Sequence, residues 1–164
     1  MNKPGIAIDI PGFGNLQINA ILTDYTGTLA FNGKLVPGVR DRLLRLAKRV
    51  DIHIVTADSF GTAEKELEGL PLVYKRLKAE KEDVQKQLYA VELNPYLLAS
   101  FGNGTNDRLH LKAVKEAGGL AIAVDNGEGC ALEAILNANL FVAGAANALD
   151  LLLEPTRLRA TLRF

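Results

Sequence analysis

The sequence has a single cysteine, no net charge and no long uninterrupted apolar run, and each of these absences excludes a class of protein. Cys130 has no partner for an intramolecular disulfide, so a disulfide scaffold is excluded and a reducing compartment is expected. Nineteen Lys and Arg residues balance nineteen Asp and Glu residues, which removes the basic signature of a general nucleic-acid binder. The most apolar stretch, residues 134–153, is interrupted by asparagines and an aspartate and is unsuited to span a membrane.

The composition is that of a globular protein. Of the 164 residues, 48% are apolar, which is too many for a disordered chain. A chain of this length can bury a sizeable apolar core and does not need a disulfide or a metal ion to stabilise it. The first eleven residues lack the apolar core of a signal peptide. We therefore expect a single domain over residues 1–164, located in the cytoplasm, with neither nucleic acid nor membrane as a partner.

Short apolar runs alternate with helical patterns, which is typical of a parallel sheet covered by helices on both faces. The pattern predicts an α/β fold of three layers: a Rossmann-like, doubly wound, mostly parallel sheet with an N-terminal hairpin and no cap domain. We expect the strand that ends at Asp24 in the middle of the sheet, strand 97–101 beside it, and the hairpin at or near an edge. In the helix predicted over residues 81–93, Val84, Leu88 and Val91 are expected to face inward.

Polar side chains follow several of the predicted strands. Asp24 follows residues 20–23, Thr56 follows residues 52–55, and a glycine-rich loop with Asp107 follows residues 97–101. Ligands of open α/β sheets bind beyond the carboxyl ends of the strands, so these residues mark the expected site. Aspartate is also a common turn residue, so Asp24 alone would be weak support for a function.

The segment Asp24-Tyr-Thr-Gly-Thr-Leu resembles the first motif of the haloacid dehalogenase (HAD) superfamily, and more closely the Asp-Lys-Thr-Gly-Thr of P-type ATPases. Three further motifs follow in family order: a strand ending in Thr56, the segment after Lys86, and Gly-Asn-Gly-Thr-Asn-Asp over residues 102–107. The resemblance covers about residues 21–153, and its first and fourth motifs are specific. Residues 25–102 leave no room for the nucleotide-binding domain of a pump. The chain thus resembles the small soluble P-type-ATPase-like hydrolases.

The resemblance implies a Mg²⁺-dependent phosphatase that works through an aspartyl-phosphate on Asp24. It assigns catalytic positions, phosphate-binding positions and metal ligands. The catalytic positions are Asp24 and Thr26; the phosphate-binding positions are Gly27, Thr56, Ala57 and Lys86; the metal ligands are Asp24, Thr26, Asn103 and Asp107. Lys78 and Lys81 are alternatives to Lys86, and the sequence leaves open whether Asn103 or Asp107 contacts the metal.

Two departures from the family pattern support an alternative function. Thr26 replaces the usual acid–base carboxylate, whose contribution is typically about 10²–10⁴-fold. Asn103 replaces an aspartate, so one negative charge is lost. The alternative is a catalytically weakened domain that binds phosphate or a partner protein as a regulator. A receiver-like signalling domain is a third hypothesis, but the Asp-x-Thr-Gly-Thr spacing argues against it. Without a cap, we expect a phosphorylated substrate of unspecified size, or a homo-oligomer or protein partner that covers the open site.

Overall fold

The computed structural model describes residues 2–164. Its strands are β1 (Ile6–Ile10), β2 (Gly14–Ile18), β3 (Ala20–Thr23), β4 (Ala30–Phe31), β5 (Lys34–Leu35), β6 (Asp51–Thr56), β7 (Val73–Arg76), β8 (Leu98–Gly102), β9 (Leu120–Asp125) and β10 (Leu140–Ala143). Its α-helices are α1 (Val39–Leu46), α2 (Ala63–Glu66), α3 (Glu82–Glu92), α4 (Arg108–Glu116), α5 (Leu132–Leu136), α6 (Ala145–Leu153) and α7 (Pro155–Leu162). Short 3₁₀ turns lie at Pro95–Leu97 and Thr105–Asp107.

Six parallel strands form the central sheet, in the order β10-β9-β8-β3-β6-β7. Strand β3 lies between β6 and β8, which confirms the predicted position of the strand before Asp24 and of its neighbour. All residues of β3 and β8 are buried, because helices cover both faces of the sheet at its centre. The predicted α/β, doubly wound architecture is confirmed.

The two faces of the sheet have separate apolar cores. On one face, side chains of α1, α6 and α7 pack with Ile21, Ile54 and Phe101. On the other face, α3 and α4 pack against Leu22, Val55 and neighbouring residues, and α5 packs with α4 over β9. Within residues 2–164, the chain between β3 and β8 forms only strands, helices and short loops of this sandwich, with no inserted cap.

The N-terminal hairpin was expected at or near an edge of the central sheet, whereas it adds no strand to that sheet and contacts the inner strand β8. Strands β1 and β2 form a separate antiparallel sheet. Their alternating pattern turns Ile6, Ile8 and Ile10 to one side, where they are buried in the core that contains α7. Burial of this apolar face therefore sets the position of the hairpin, and β7 and β10 remain the outer strands of the parallel sheet.

The orientation predicted for the helix over residues 81–93 was wrong. Val84, Leu88 and Val91 are 38%, 63% and 58% exposed, whereas Lys86 and Ala90 are the buried residues of α3. The physical reason is that Lys86 has carboxylate partners inside the protein, which compensate the cost of burying its charge.

Smaller elements also differ from the predictions. The sequence pattern of residues 25–36 is typical of a loop, but this segment contains the short hairpin β4–β5, and α7 follows α6 where the pattern predicts no helix. The pattern of residues 62–70 is typical of a longer helix, but only the single turn α2 forms there. None of the helices in residues 2–164 combines the length and apolarity needed to cross a membrane.

Candidate active site

A small polar cavity of about 210 Å³ opens at the carboxyl edge of β3, β6 and β8. It is lined by residues that follow these strands and by the start of α3: Asp24, Thr26, Thr56, Ala57, Ser59, Glu82, Asn103, Gly104 and Asn106. The predicted residues Asp24, Thr26, Thr56, Ala57 and Asn103 are thus brought together in one place. Their chemical roles stay predictions at this point.

Asp24 lies at the base of this cavity and is only 5% exposed. Its Oδ1 accepts a hydrogen bond from the Tyr25 backbone N–H at 2.7 Å. Its Oδ2 lies 3.3 Å from Nζ of Lys86. The carboxylate is thereby held at the end of the central strand, with one oxygen fixed by the backbone and the other beside a cation.

Lys86 joins two carboxylates that come from different loops. Its Nζ lies 3.3 Å from Asp24 Oδ2 and 2.8 Å from Asp107 Oδ1, and the residue is 1% exposed. Lys78 and Lys81, the two alternatives left open by the sequence, are exposed. Of the three lysines, Lys86 is therefore the one that the fold places beside the candidate nucleophile.

Asp107 is fully buried and its carboxylate is already bonded on both oxygens. Oδ1 accepts from Lys86 and lies 3.0 Å from His110 Nε2, and Oδ2 accepts the backbone N–H groups of Asn103 and Gly104 at 3.0 Å each. A β-carbon at Gly102 would lie 2.4 Å from the Asp107 side chain, so glycine there makes room for this carboxylate. Asp107 thus orients Lys86 and the loop, whereas Asn103 faces the cavity.

The three charges perturb one another in a consistent way. Burial raises the pKa of Asp24 to about 7, although Lys86 opposes the shift. Burial alone would lower the pKa of Lys86, but the carboxylates of Asp107 and Asp24 raise it above its ordinary value. Asp107 keeps a pKa below its usual range despite burial, because Lys86 and His110 favour its charged form. Lys86 therefore stabilises the charged form of Asp107 more fully than that of Asp24, in line with its shorter distance to Asp107.

Gly27 and Asn103 are in close contact across the cavity wall. Gly27 has a φ of 75°, and a β-carbon there would lie 2.3 Å from Asn103 Nδ2. The Asn103 amide is oriented by two bonds: Oδ1 accepts from Thr28 Oγ1 at 3.2 Å, and Nδ2 donates to the Gly129 carbonyl at 3.2 Å. Gly27 therefore contributes its backbone and the space that Asn103 fills.

The sequence analysis missed four residues of this region. The Asp58 N–H donates to Thr56 Oγ1 at 3.0 Å, and the Asp58 carboxylate accepts the N–H groups at the start of α2. Glu82 and Asn106 line the cavity and are hydrogen-bonded to each other at 2.9 Å. His110 supports Asp107 from one helical turn further along. The available signals were an aspartate shortly before a helix, which is typical of a cap, and a histidine three positions after Asp107.

The residues present are compatible with a bound Mg²⁺ ion. The donors at the cavity are hard oxygens: the Asp24 carboxylate, the Asn103 amide and the oxygens of Thr26, whose Oγ1 is buried without a hydrogen-bond partner. Asp24 is the acidic donor of this set, Glu82 also lines the cavity, and within residues 2–164 no three His, Cys, Asp or Glu side chains cluster as a metal site. The donor chemistry therefore fits Mg²⁺.

The comparisons with known proteins identify the class to which this fold belongs. The chain resembles a haloacid dehalogenase-like family hydrolase of Streptococcus pneumoniae, with a TM-score of 0.54, 14% identity and coverage of 89% of this chain and 99% of that one. The fold is thus that of HAD superfamily hydrolases, which confirms the resemblance found in the sequence motifs at the level of the fold.

More particular neighbours are 3-deoxy-D-manno-octulosonate 8-phosphate phosphatases. The enzyme of Moraxella catarrhalis, solved with magnesium, phosphate and the sugar acid, has a TM-score of 0.60 and 18% identity over 89% of this chain and 94% of its own. The cobalt-bound enzyme of Haemophilus influenzae has a TM-score of 0.58 and 15% identity over 89% of each chain. At these identities the likeness concerns the fold.

Sequence comparison adds little to the structural likeness. No protein-family model matches the chain. A 39-residue segment, 24% of this chain, is 46% identical to an uncharacterized protein of Methanocaldococcus jannaschii and covers 89% of it. The functional argument therefore depends on the site itself.

Proposed function

We propose that this chain is a Mg²⁺-dependent phosphatase that hydrolyses a phosphoric monoester through an aspartyl-phosphate on Asp24. The observation that carries the proposal is the buried Asp24 carboxylate at the base of a polar cavity, with Lys86 at 3.3 Å. Structural neighbours named as phosphatases support the same class of reaction. The substrate is a phosphorylated molecule whose leaving group the cavity does not define.

The proposed reaction begins with attack of an Asp24 oxygen on phosphorus. The bond from phosphorus to the leaving oxygen breaks as the Asp24–phosphorus bond forms, and the leaving oxygen takes a proton from water. Water then attacks the aspartyl-phosphate, loses a proton to solvent, and releases phosphate with the Asp24 carboxylate regenerated. Thr26 lies where a proton-transferring carboxylate would be useful, so both proton transfers depend on solvent and turnover is expected to be slow.

The other site residues bind and orient the phosphoryl group. Lys86 supplies positive charge at the Asp24 side of the cavity, and the Thr56 hydroxyl and the backbone after it supply hydrogen bonds. Asp24, Asn103 and Thr26 would hold Mg²⁺, which neutralises phosphoryl charge when it is bound. Asp107 orients Lys86 and the loop that carries Asn103, because it accepts hydrogen bonds from both.

A regulatory domain that binds phosphate or a partner protein remains the second candidate. It is favoured by Thr26 and Asn103, which remove a proton-transfer group and a metal-binding charge while keeping the rest of the anion site. This candidate requires phosphate binding without turnover, which separates it from the first.

The decisive experiment measures phosphate release from an aryl phosphate by the wild type, Asp24→Asn and the control Asp51→Asn, with Mg²⁺ and with EDTA. We expect Mg²⁺-dependent hydrolysis by the wild type and the control, because Asp51 is exposed at the opposite end of its strand. Asp24→Asn should be reduced to background with its circular dichroism unchanged. Substantial activity of this variant would refute the mechanism. If calorimetry shows that the wild type binds phosphate, but the wild type does not hydrolyse the aryl phosphate, the regulatory candidate is supported instead.

A further inference from the structure

The outer side of α3 carries three large apolar side chains in contact with solvent. Val84, Leu88 and Val91 are 38%, 63% and 58% exposed and follow one another at spacings of four and three, so they lie on one face of the helix. The opposite face carries Lys86 and Ala90 into the protein. These three residues, which we call the apolar stripe of α3, are therefore not buried in the chain's own core.

The sheet beside this stripe is also uncovered. Strand β7 is an outer strand that pairs only with β6, and Val73 at its start is 48% exposed. Lys75, on the same face as Val73, places its Nζ 4.1 Å from the centre of the Tyr89 ring on α3. Parallel sheets are normally covered on both faces, so the corner formed by β7 and the apolar stripe lacks a layer that this architecture usually has.

Two shallow grooves run along the stripe on the same side of α3. One, of about 400 Å³, is lined by Lys75, Gln85, Leu88, Tyr89 and Glu92. The other, of about 380 Å³, is lined by Lys78, Glu80, Lys81, Val84 and Gln85. An apolar ridge thus lies directly beside two grooves that share Gln85. A twofold axis that makes the two helices antiparallel would set stripe against stripe and groove against groove, so the apolar side chains of both copies would be buried together.

We propose that a second copy of this chain docks on this surface, with the two α3 helices antiparallel across a twofold axis. The charges favour this occupant and this direction. Lys81, which immediately precedes α3, lines the groove at the start of the helix, and Glu92, the last residue of α3, lines the groove at the other end on the same side of the stripe. Antiparallel pairing brings Lys81 of each copy toward Glu92 of the other, and twofold symmetry makes both contacts at once. Leu88 then lies near the axis, where apolar contacts dominate an interface.

This surface is independent of the proposed phosphatase activity. The stripe lies on the side of α3 opposite Lys86, and none of its three apolar residues lines the catalytic cavity. The dimer can therefore be tested whether or not the chain hydrolyses phosphate.

The test is sedimentation velocity of the full chain across micromolar concentrations, comparing the wild type with Leu88→Glu and with the matched control Leu132→Glu. Leu132 is 74% exposed and lies on α5, away from α3. We expect a wild-type dimer, an unchanged dimer for Leu132→Glu, and a dissociation constant at least about 30-fold higher for Leu88→Glu. Circular dichroism confirms that each variant is folded.

Reversal of the charges tests the orientation. Lys81→Glu and Glu92→Lys should each weaken the dimer, and the double variant should restore it. A wild type that stays monomeric, a dimer that Leu88→Glu leaves intact, or equal dissociation by Leu132→Glu would overturn the proposal. Failure of the double variant to restore the dimer would overturn the antiparallel arrangement.

Discussion

Replacement of Asp24 by asparagine should stabilise the metal-free protein, and the gain should grow with pH. Burial raises the pKa of Asp24 from 3.8 to about 7. The folded state therefore binds this proton more tightly than the unfolded state does, and the free energy of unfolding falls as the pH rises between these two values. A shift of roughly three units at about 1.4 kcal/mol per unit costs the folded wild type about 4 kcal/mol above the higher pKa.

Asparagine removes this cost with little change of shape. Its side-chain oxygen can still accept the 2.7 Å hydrogen bond from Tyr25, and Lys86 keeps Asp107 as its partner. The two proteins should be about equally stable near the unfolded pKa, where wild-type Asp24 is protonated when folded. Above the folded pKa, Asp24→Asn should be more stable by up to about 4 kcal/mol.

Urea denaturation followed by circular dichroism, in EDTA and over a series of pH values, measures this difference. Asp150→Asn is the matched control, because Asp150 accepts hydrogen bonds from Arg42 at 2.7 and 2.9 Å, which hold its pKa below the usual range. Asp150→Asn should therefore lower the free energy of unfolding, whereas Asp24→Asn should raise it. A gain for Asp24→Asn that is absent, or that does not change with pH, would refute the assignment of an electrostatic cost to Asp24.

Three further substitutions test the neighbouring groups. Lys86→Met leaves two buried carboxylates without their cation and should lower the free energy of unfolding by about 3–5 kcal/mol at neutral pH, whereas Lys78→Met at an exposed site should leave the urea midpoint unchanged. Asp58→Ala removes the acceptor of the N–H groups at the start of α2 and should cost about 1–3 kcal/mol in the same measurement. Thr26→Asp should raise steady-state hydrolysis of an alkyl phosphate by up to about 10²–10⁴-fold and that of an aryl phosphate by less. If the variant hydrolyses both substrates at the wild-type rate, proton transfer at this position is not limiting.

The sequence predicted the central architecture because strong local patterns coincide with it. The largely apolar strands before Asp24 and after residue 97 are typical of a covered sheet, and parallel strands place the polar residues after them at one edge. Thr56, at the end of β6, and Asn103, after β8, accordingly line the same cavity as Asp24, while their chemical roles stay predictions.

The errors in the predicted packing arose where the periodicity of a segment shows that it has an apolar face but not what that face packs against. The pattern of α3 defined an apolar stripe, but burial of Lys86 by two carboxylates decided which side faces inward, and that pairing depends on Asp107 from another loop. The alternation of β1 likewise predicted a strand with one apolar face without showing that the face packs with α7. Contacts between distant segments settled both cases.

The placement of β3 at the centre of the sheet also orders the folding process. Strand β1 pairs with β2 immediately after it, whereas β3 pairs with β8, far along the chain. Loop closure must occur before such distant strands can pair, so we expect the hairpin to form early, the pairing of β3 with β6 next, and the pairing of β3 with β8 later. Lys86 and Asp107 come from helices and loops on either side of β8. We therefore expect the charged group around Asp24 to be assembled late in folding, because it needs segments from both sides of β8.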